Sequence, residues 1–100
     1  MKKQDFKVLK TADLYLFPDN PFHVVEDEML SELAESIKEF GIVTPIITRP
    51  KEDGNGYEVI AGQRRVRASE LAGVNTIPAF VLSLDRDRAI ITLVDSNLQR

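Results

Sequence analysis

A chain of 100 residues with 43% hydrophobic and 29% charged residues has the size and balance of one small globular domain with a single core. It has no cysteine and a single histidine, His23, which excludes disulfides and thiol chemistry and leaves too few ligands for a zinc site. The net charge of −3 argues against a domain that coats DNA through its average surface, so any contact with phosphate must be local.

The distribution of charge and apolar residues narrows the possibilities further. No apolar run approaches the length of a transmembrane helix, and the basic N-terminus MKKQDFKVLK is not followed by the apolar segment of a signal peptide. We therefore expect a cytoplasmic protein. Acidic residues crowd the region 13–39, whereas 62–68 contains three arginines and no acid. This asymmetry indicates a candidate anion site at 62–68.

The first part of the sequence predicts a strand followed by a helix. VLKTADLYL, residues 8–16, is rich in apolar residues and leads toward an Asn-Pro turn signal at 20–21. Apolar residues at helical spacing then predict an amphipathic helix over about 27–40. Gly41 is expected to end it as a left-handed cap, with Ile42 folding back onto the last turn.

The middle of the sequence predicts a hairpin and a second helix. PIITRP and the segment that follows it contain two reversal signals, Asp-Gly and Asn-Gly at 53–56, between two runs typical of strands. The second helix is expected to begin near Gly62 or Gln63 and to end at Ala72, with Gly73 as its cap.

The last part predicts a strand and a third helix. TIPAFVLSL, residues 76–84, is the strand candidate, and Asp85 can cap the helix that follows. The apolar positions that share one face of this helix are Ala89, Ile90, Leu93 and Val94. The resulting order of elements predicts an α+β fold in which a small mixed sheet packs with about three helices.

Arginines at the start of the second helix favour an anion-binding site. A helix start exposes N–H groups without helical partners and the positive end of the helix dipole. Gly62 allows close backbone approach, and the guanidinium groups of Arg64 and Arg65 can bind phosphate oxygens in pairs. Without an anion, positive side chains there cost about 0.3–1 kcal/mol.

The alternative is that these arginines are solvated or pair with nearby acids such as Glu58 and Glu70, because short charge runs are usually surface. Arg67 fits this alternative better than Arg64 does. It lies about one turn further from the helix start, where the dipole effect has faded.

Several segments resemble, in order, the conserved boxes of ParB-type partition proteins. GQRRVRASELAG resembles the GERRxRA box of that family, and the others are NPF at 20–22, LAESIKEFGIVTPIITRP at 33–50, YEVIAGQRR from Tyr57 and SNLQR from Ser96. The resemblance covers roughly residue 14 to the end. It implies a ParB/sulfiredoxin-like fold over 1–100, as the N-terminal domain of a longer protein whose helix-turn-helix DNA-binding domain lies C-terminal.

The resemblance also implies a function. ParB-type N-terminal domains bind CTP with Mg²⁺ at the GxRR box and use it to close a DNA-encircling clamp during chromosome or plasmid segregation. The implied partners are nucleotide, DNA in the full-length protein, and either a second copy or a partner ATPase, with no membrane involved. The implied location is the nucleoid or a plasmid in the cytoplasm.

Family roles carry over to eight positions of this sequence. The resemblance implies that the phosphates are bound by Gly62, Gln63, Arg64 and Arg65. It implies that the nucleotide pocket is also lined by Ser36, Gly41 and Thr44, and that Asn97 lies near the nucleotide and Mg²⁺. The alternatives are a polar helix position for Ser36, a cap for Gly41, a turn for Thr44 and plain surface for Asn97.

Three departures from the family pattern bear on catalysis. Gln63 stands where the family commonly has an acid, Ser96 where it has Glu, and Val25 where it has a phosphate-contacting Arg. The first two remove carboxylates that would hold Mg²⁺ or orient water, although Asp95 would supply one in an altered register. We expect nucleotide binding with weak CTPase activity or none, and assign no catalytic residue.

Two other classes stay open. In one, the arginine box contacts DNA backbone or a partner protein without nucleotide. In the other, the chain is a nucleotide-dependent relative with kinase or nuclease activity, which requires a catalytic acid near the arginines, with Asp95, Glu58 and Glu70 as candidates. Sulfiredoxin chemistry is excluded because the chain has no cysteine.

Overall fold

A computed structural model describes residues 4–18, 24–42 and 44–98 of the chain. Within these ranges the strands are β1 (Gln4–Lys10), β2 (Leu14–Leu16), β3 (Ile46–Pro50), β4 (Tyr57–Ala61) and β5 (Thr76–Leu82). The helices are α1 (Glu28–Phe40), α2 (Gln63–Ala72) and α3 (Arg86–Leu98), and a short 3₁₀ turn, Thr11–Asp13, separates β1 from β2.

The strands form one mixed sheet in the order β1-β5-β3-β4-β2. β1 pairs with β5, and β3 with β4, in antiparallel fashion, whereas β5 and β3, and β4 and β2, run parallel. This confirms the predicted α+β fold with a small mixed sheet and three helices. No helix in the described part of the chain is long and apolar enough to span a bilayer.

The single strand predicted over 8–16 is wrong in one respect, because the structure contains two strands there. β1 ends at Lys10, and the N–H of Thr11 makes a last ladder bond to the Asn75 carbonyl at 3.0 Å. The 3₁₀ turn then carries the chain across, so β1 and β2 lie at opposite edges of the sheet. The polar residues Thr11 and Asp13 interrupt the alternation of apolar residues, and this interruption is the sequence signal for a break between two strands.

The two faces of the sheet carry separate apolar clusters. Consecutive residues of a strand point to opposite faces, so Val59 and Ile60 of β4 belong to different ones. The first cluster packs against Val66 of α2 and contains Leu9, Ile46, Val59, Ile77, Ala79 and Val81. The second contains Phe17, Ile60, Ala89 and Leu93, which places α3 on the opposite face. The third lies between α1 and α2 and contains Leu30, Ala34, Ile37 and Ala68.

Helix α1 begins and ends through identifiable contacts. The Asp27 carboxylate accepts a hydrogen bond from the N–H of Leu30 at 3.0 Å and so caps the first turn. At the other end, Gly41 has φ +80° and ψ −174°. Its φ is positive as predicted, but its ψ lies outside the left-handed helical region, in a conformation that is essentially restricted to glycine. Ile42 packs back against the buried residues of α1, as expected.

The remaining elements follow the predictions. β3 and β4 form the hairpin, closed by a hydrogen bond from the Lys51 N–H to the Gly56 carbonyl at 2.9 Å. Gly73 ends α2 in the left-handed conformation. The Asp85 carboxylate accepts from the N–H of Arg88 at 2.8 Å and caps α3. The predicted apolar face of α3 contacts the second cluster.

A buried ion pair connects the hairpin with the segment that leads into α3. The Arg49 side chain is 5% exposed, and its Nε donates to Glu58 Oε1 at 2.9 Å across the β3–β4 pair. Nη1 of Arg49 donates to the Leu84 carbonyl at 3.2 Å, and the guanidinium lies 5.2 Å from the centre of the Phe17 ring. Glu58 therefore pairs with Arg49, which corrects its assignment as a partner of the arginine box.

Removal of the Glu58 carboxylate tests this buried pair. Glu58→Ala leaves the buried Arg49 charge with only the exposed carboxylate of Glu52 nearby, so we expect the free energy of unfolding to fall by about 3–5 kcal/mol. Chemical denaturation followed by circular dichroism measures it. The matched control is Glu52→Ala, because Glu52 lies 3.8 Å from the same arginine but is 77% exposed. Its loss is expected to stay below about 1 kcal/mol, and similar losses in both variants would contradict the argument.

Candidate anion-binding site

The turn from β4 into α2 places the arginine box at a helix start. Gly62 is the residue before the helix, with φ +104° and ψ +23°. Its carbonyl accepts the N–H of Val66 at 3.1 Å, the first hydrogen bond of the helix. The N–H groups of residues 63–65 precede that bond and have no partner within the helix. Together with the helix dipole, they favour a negatively charged ligand at this end of α2.

Packing against β3 gives a further reason for the glycine at position 62. A Cβ atom at Gly62 would lie 2.5 Å from Cγ2 of Ile46, a fully buried residue at the start of β3. The absence of a side chain therefore allows β3 to approach the start of α2. Gly62 thus holds the geometry of the site, and its proposed contact with a ligand stays a prediction.

Gln63 folds back onto the strand that precedes it. Its side-chain Nε2 donates to the carbonyl of Ile60 at 3.0 Å. A carboxylate cannot donate this bond, because an ionised acid is only an acceptor. The amide at position 63 therefore contributes to the junction between β4 and α2.

Arg65 connects α2 to the loop before β3. Its Nη1 donates to the carbonyls of Thr44 at 2.7 Å and of Pro45 at 2.8 Å. Its partial burial lowers the pKa of Arg65 from the ordinary value, because desolvation disfavours the charged form. The structure thus brings two of the predicted site residues, Arg65 and Thr44, into direct contact.

Arg64 lies near the start of α1. Its Nη2 is 3.7 Å from Oδ1 of Asp27, the carboxylate that caps that helix, and its side chain is one-third exposed. The contact is an ion pair rather than a hydrogen bond at this distance. Arg64 is consequently held near the junction of α1 and α2 by a weak, partly solvated interaction.

Arg67 pairs with acids, as the alternative interpretation states. Its Nε donates to Glu26 Oε2 at 2.7 Å, and its Nη1 donates to Glu70 Oε1 at 3.2 Å. Hydrogen bonds to Glu26 and then Glu70 raise the pKa of Arg67. The sequence pattern indicates Glu70 as a partner but not Glu26. It lies 41 residues away in sequence, so local spacing gave no signal for this pair.

The other predicted residues lie on different elements. Ser36 is exposed on α1, and Gly41 and Thr44 are exposed in the segment between α1 and β3. Asp95 is exposed on α3, and Asn97 lies in the last turn of that helix, where its side chain falls outside the described part of the structure. Because α3 packs on the face of the sheet opposite α2, the nucleotide and metal roles of Asp95 and Asn97 stay predictions.

A groove that the sequence did not predict lies beside the arginine box. It measures about 350 Å³ and is lined by residues of the edge strand β2, of β4 and of α2. Its lining includes Tyr15, Leu16, Val59, Gln63, Val66 and Arg67. Among the described residues, no three His, Cys, Asp or Glu side chains come together as a metal site.

Comparison with known proteins identifies the family. The model of the ParB N-terminal domain matches residues 1–98. The chain belongs to the ParB N-terminal domain family. It is 46% identical over 81 residues to a probable chromosome 1-partitioning protein ParB of Deinococcus radiodurans, covering 80% of this chain and 27% of that protein. It is 38% identical over 100 residues to the stage 0 sporulation protein J of Bacillus subtilis, covering all of this chain and 35% of that protein.

Solved ParB structures share the fold. The C-terminally truncated ParB of Caulobacter crescentus in complex with CTP-γ-S gives a TM-score of 0.86 at 34% identity, covering 96% of this chain and 54% of that chain. Sulfiredoxin from Arabidopsis thaliana gives 0.71 at 19% identity, covering 89% of this chain and 97% of that chain, which shows a shared fold alone. The chain spans roughly a third of the length of the curated ParB relatives that it matches.

Paired glycine substitutions test the geometry of the helix start. Gly62 and Gly73 both have left-handed backbones, so alanine at either position costs about 1–2 kcal/mol for the conformation. Only at Gly62 does the added methyl collide with Ile46, since nothing lies within 4 Å of the corresponding point at Gly73. We expect Gly62→Ala to lose about 1–3 kcal/mol more than Gly73→Ala in urea unfolding. Equal losses would show that the Ile46 contact relaxes freely.

Proposed function

We propose that this chain is the N-terminal domain of a chromosome or plasmid partition protein, and that it binds CTP at the start of α2. The family membership supports the role in partition, and the Caulobacter relative solved with CTP-γ-S supports the choice of nucleotide. The single observation in this chain that carries the proposal is that Gly62, Arg64 and Arg65 all lie at the start of α2.

The contacts of Arg65 leave it able to bind phosphate. Both of its hydrogen bonds to described residues use Nη1 and end on neutral carbonyl oxygens. A guanidinium has five N–H donors, so Nε and Nη2 are available for phosphate oxygens in this proposal. The carbonyl contacts hold the group in place before a ligand arrives, which reduces the entropy lost on binding.

Arg64 is suited to the second phosphate contact. Its ion pair with Asp27 is long and partly exposed, and such pairs contribute at most about 1 kcal/mol. Exchange of that carboxylate for a triphosphate therefore costs little. Mg²⁺ keeps few protein ligands when it binds with nucleotide phosphates, so we propose that the phosphates supply most of its ligands and that Asn97 and Asp95 contribute the rest.

The wider role is proposed for the full-length protein. A Caulobacter ParB that is 32% identical to this chain was solved on its centromeric parS site, with this chain covering 48% of its length. We propose that the protein acts on DNA in the same way through a domain outside this chain, as a cytoplasmic protein associated with the nucleoid or a plasmid. Nucleotide at α2 would control a DNA clamp, together with self-association or a partner ATPase.

Arginine substitutions and calorimetric titration test the nucleotide site. Arg65→Ala is expected to weaken Mg-CTP binding about 10–100-fold, because it removes charge-assisted hydrogen bonds. Arg64→Ala is expected to weaken it as well. Arg67→Ala is expected to change affinity less than about twofold, because its partners are Glu26 and Glu70.

Arg64→Ala is informative because Arg65 also holds the loop at Thr44 and Pro45, whereas Arg64 does not. Equal losses in Arg65→Ala and Arg67→Ala would contradict the assignment. ATP and GTP serve as controls for the base. If no nucleotide binds and the domain instead binds duplex DNA with an affinity that falls steeply with salt, the site contacts DNA backbone.

Restored carboxylates test the expected weakness of hydrolysis. The double variant Gln63→Glu with Ser96→Glu introduces oxygens that can hold Mg²⁺ or orient water. We expect it to release phosphate from bound Mg-CTP faster than the natural sequence does, although the added charge at position 63 weakens binding. Gln63→Ala is the control, because it removes the bond to Ile60 without adding an acid. A rate unchanged by the double variant would show that these two positions do not limit turnover.

A further inference from the structure

We propose that two copies of this chain associate through strand β1, paired antiparallel about Phe6, so that their two sheets join into one. The proposed interface is the edge of the sheet formed by β1, whereas the proposed nucleotide site lies at the start of α2. It rests on the backbone, the apolar face and the charge pattern of β1.

The backbone of β1 presents hydrogen-bonding groups at an edge. β1 is the strand at one edge of the sheet, and it pairs with β5 on its inner side. The bond from the Thr11 N–H to the Asn75 carbonyl continues the β1–β5 ladder and fixes its alternation. Residues 5, 7 and 9 therefore direct their N–H and C=O groups toward β5, whereas Phe6, Val8 and Lys10 direct theirs outward.

The position of a proline supports this alternation. Pro78 of β5 lies opposite Val8, at a place where the alternation requires no hydrogen bond between the two strands. A residue without an N–H fits such a position. The outward groups of Phe6 and Val8 thus form a template for a further antiparallel strand.

An apolar strip runs along the same edge. Phe6 and Val8 are 57% and 64% exposed. The Phe6 ring packs edge-on against Phe80, with 5.5 Å between the ring centres. Phe6 and Val8 lie on the same face of the sheet as α3. Phe80 is opposite Phe6 on one side and Ile47 on the other, and Ile47 packs against the apolar cluster of α3. A second copy paired on β1 would extend this strip across the two-fold axis. Phe6 of one copy would then lie against Phe6 of the other.

The charges of β1 select a second copy as the partner and also select the register. In an antiparallel pair, residues directly opposite must lie on the same face. Pairing centred on Phe6 places Asp5 opposite Lys7 of the other copy, and does so twice by symmetry. Pairing centred on Lys7 opposes two lysines, and pairing centred on Asp5 opposes two aspartates. Pairing centred on Val8 places Asp5 opposite Thr11 and Lys7 opposite Leu9, so neither charge faces an opposite charge. Opposite charges in directly facing positions stabilise a sheet, and like charges destabilise it.

The register also brings these charges close together. The N–H and C=O groups of Phe6 point away from β5, so Phe6 of one copy and Phe6 of the other form a hydrogen-bonded pair. Asp5 and Lys7 of the other copy then form the non-hydrogen-bonded pairs on either side. Side chains approach most closely in such pairs, with Cα atoms about 4.5 Å apart. The self-complementary pattern Asp5-Phe6-Lys7 thus suits a two-fold partner.

Cysteine cross-linking tests the register directly, because the chain has no cysteine of its own. The Phe6 Cα atoms of the two copies would lie about 5.5 Å apart, within the range of about 4.4–6.8 Å that a disulfide spans. The Val8 Cα atoms would lie about 13 Å apart along the strands. On mild oxidation we expect Phe6→Cys to form a covalent dimer and Val8→Cys to stay monomeric. Equal cross-linking of the two variants would overturn the register.

Charge reversal with restoration tests the pairing without altering Phe6. In sedimentation equilibrium without nucleotide, Lys7→Asp is expected to weaken the dimer at least about tenfold, because it opposes acids at both pairs. The double variant Asp5→Lys with Lys7→Asp rebuilds the complementary pattern and is expected to return the dissociation constant to within about threefold of the natural value. Lys38→Asp, on exposed α1, makes the same change in net charge and is expected to have no effect.

A natural chain that is monomeric up to millimolar concentration would overturn the proposal, and so would a double variant that fails to restore association. Because the measurements are made without nucleotide and all the changes lie on β1 or on α1, their failure leaves the proposed CTP site untouched. A failed CTP titration equally leaves the dimer standing.

Discussion

The close contact between Gly62 and Ile46 is the constraint on which the candidate site depends. Ile46 begins β3 and is fully buried, and its Cγ2 occupies the space that any side chain at position 62 would need. The start of α2 therefore lies directly against the start of β3. That proximity lets Arg65, in the first turn of the helix, reach the carbonyls of Thr44 and Pro45 just before Ile46. Gly62 and Arg65 thus both contact the segment from Thr44 to Ile46, one by packing and the other by hydrogen bonds.

The arginines of this chain differ in how their charge is balanced. Arg49 is buried against Glu58, and Arg67 lies between Glu26 and Glu70, so carboxylates neutralise both. Among the described residues, Arg65 contacts neutral carbonyls and no counter-charge, and desolvation by burial lowers its pKa. An anion bound beside Arg65 would supply that counter-charge. This contrast supports the proposed ligand site at Arg65 more clearly than the run of arginines in the sequence does.

The sequence was sufficient where the structure is set by local patterns. The periodicity of α1, the two reversal signals of the hairpin and the cap at Asp85 each depend on residues a few positions apart, and each was predicted correctly. The division of residues 4–16 into two strands was missed, because it is decided by pairing with β5 and β4 far along the chain. The contact of Arg65 with Thr44 and the pairing of Arg67 with Glu26 were missed for the same reason, since these residues are 21 and 41 positions apart.

Gln63 shows how a departure from the family pattern acquires a physical meaning in the folded chain. Its amide donates to the Ile60 carbonyl at the end of β4, a bond that the acid commonly found at this position in the family cannot make when ionised. The substitution therefore changes two properties together, because it strengthens the junction between β4 and α2 and removes a negative charge from the helix start. Near an anion, the loss of that charge favours binding, while the loss of a carboxylate disfavours the activation of water. Under the proposed function, these two effects together favour a site that binds nucleotide and releases it mainly unhydrolysed.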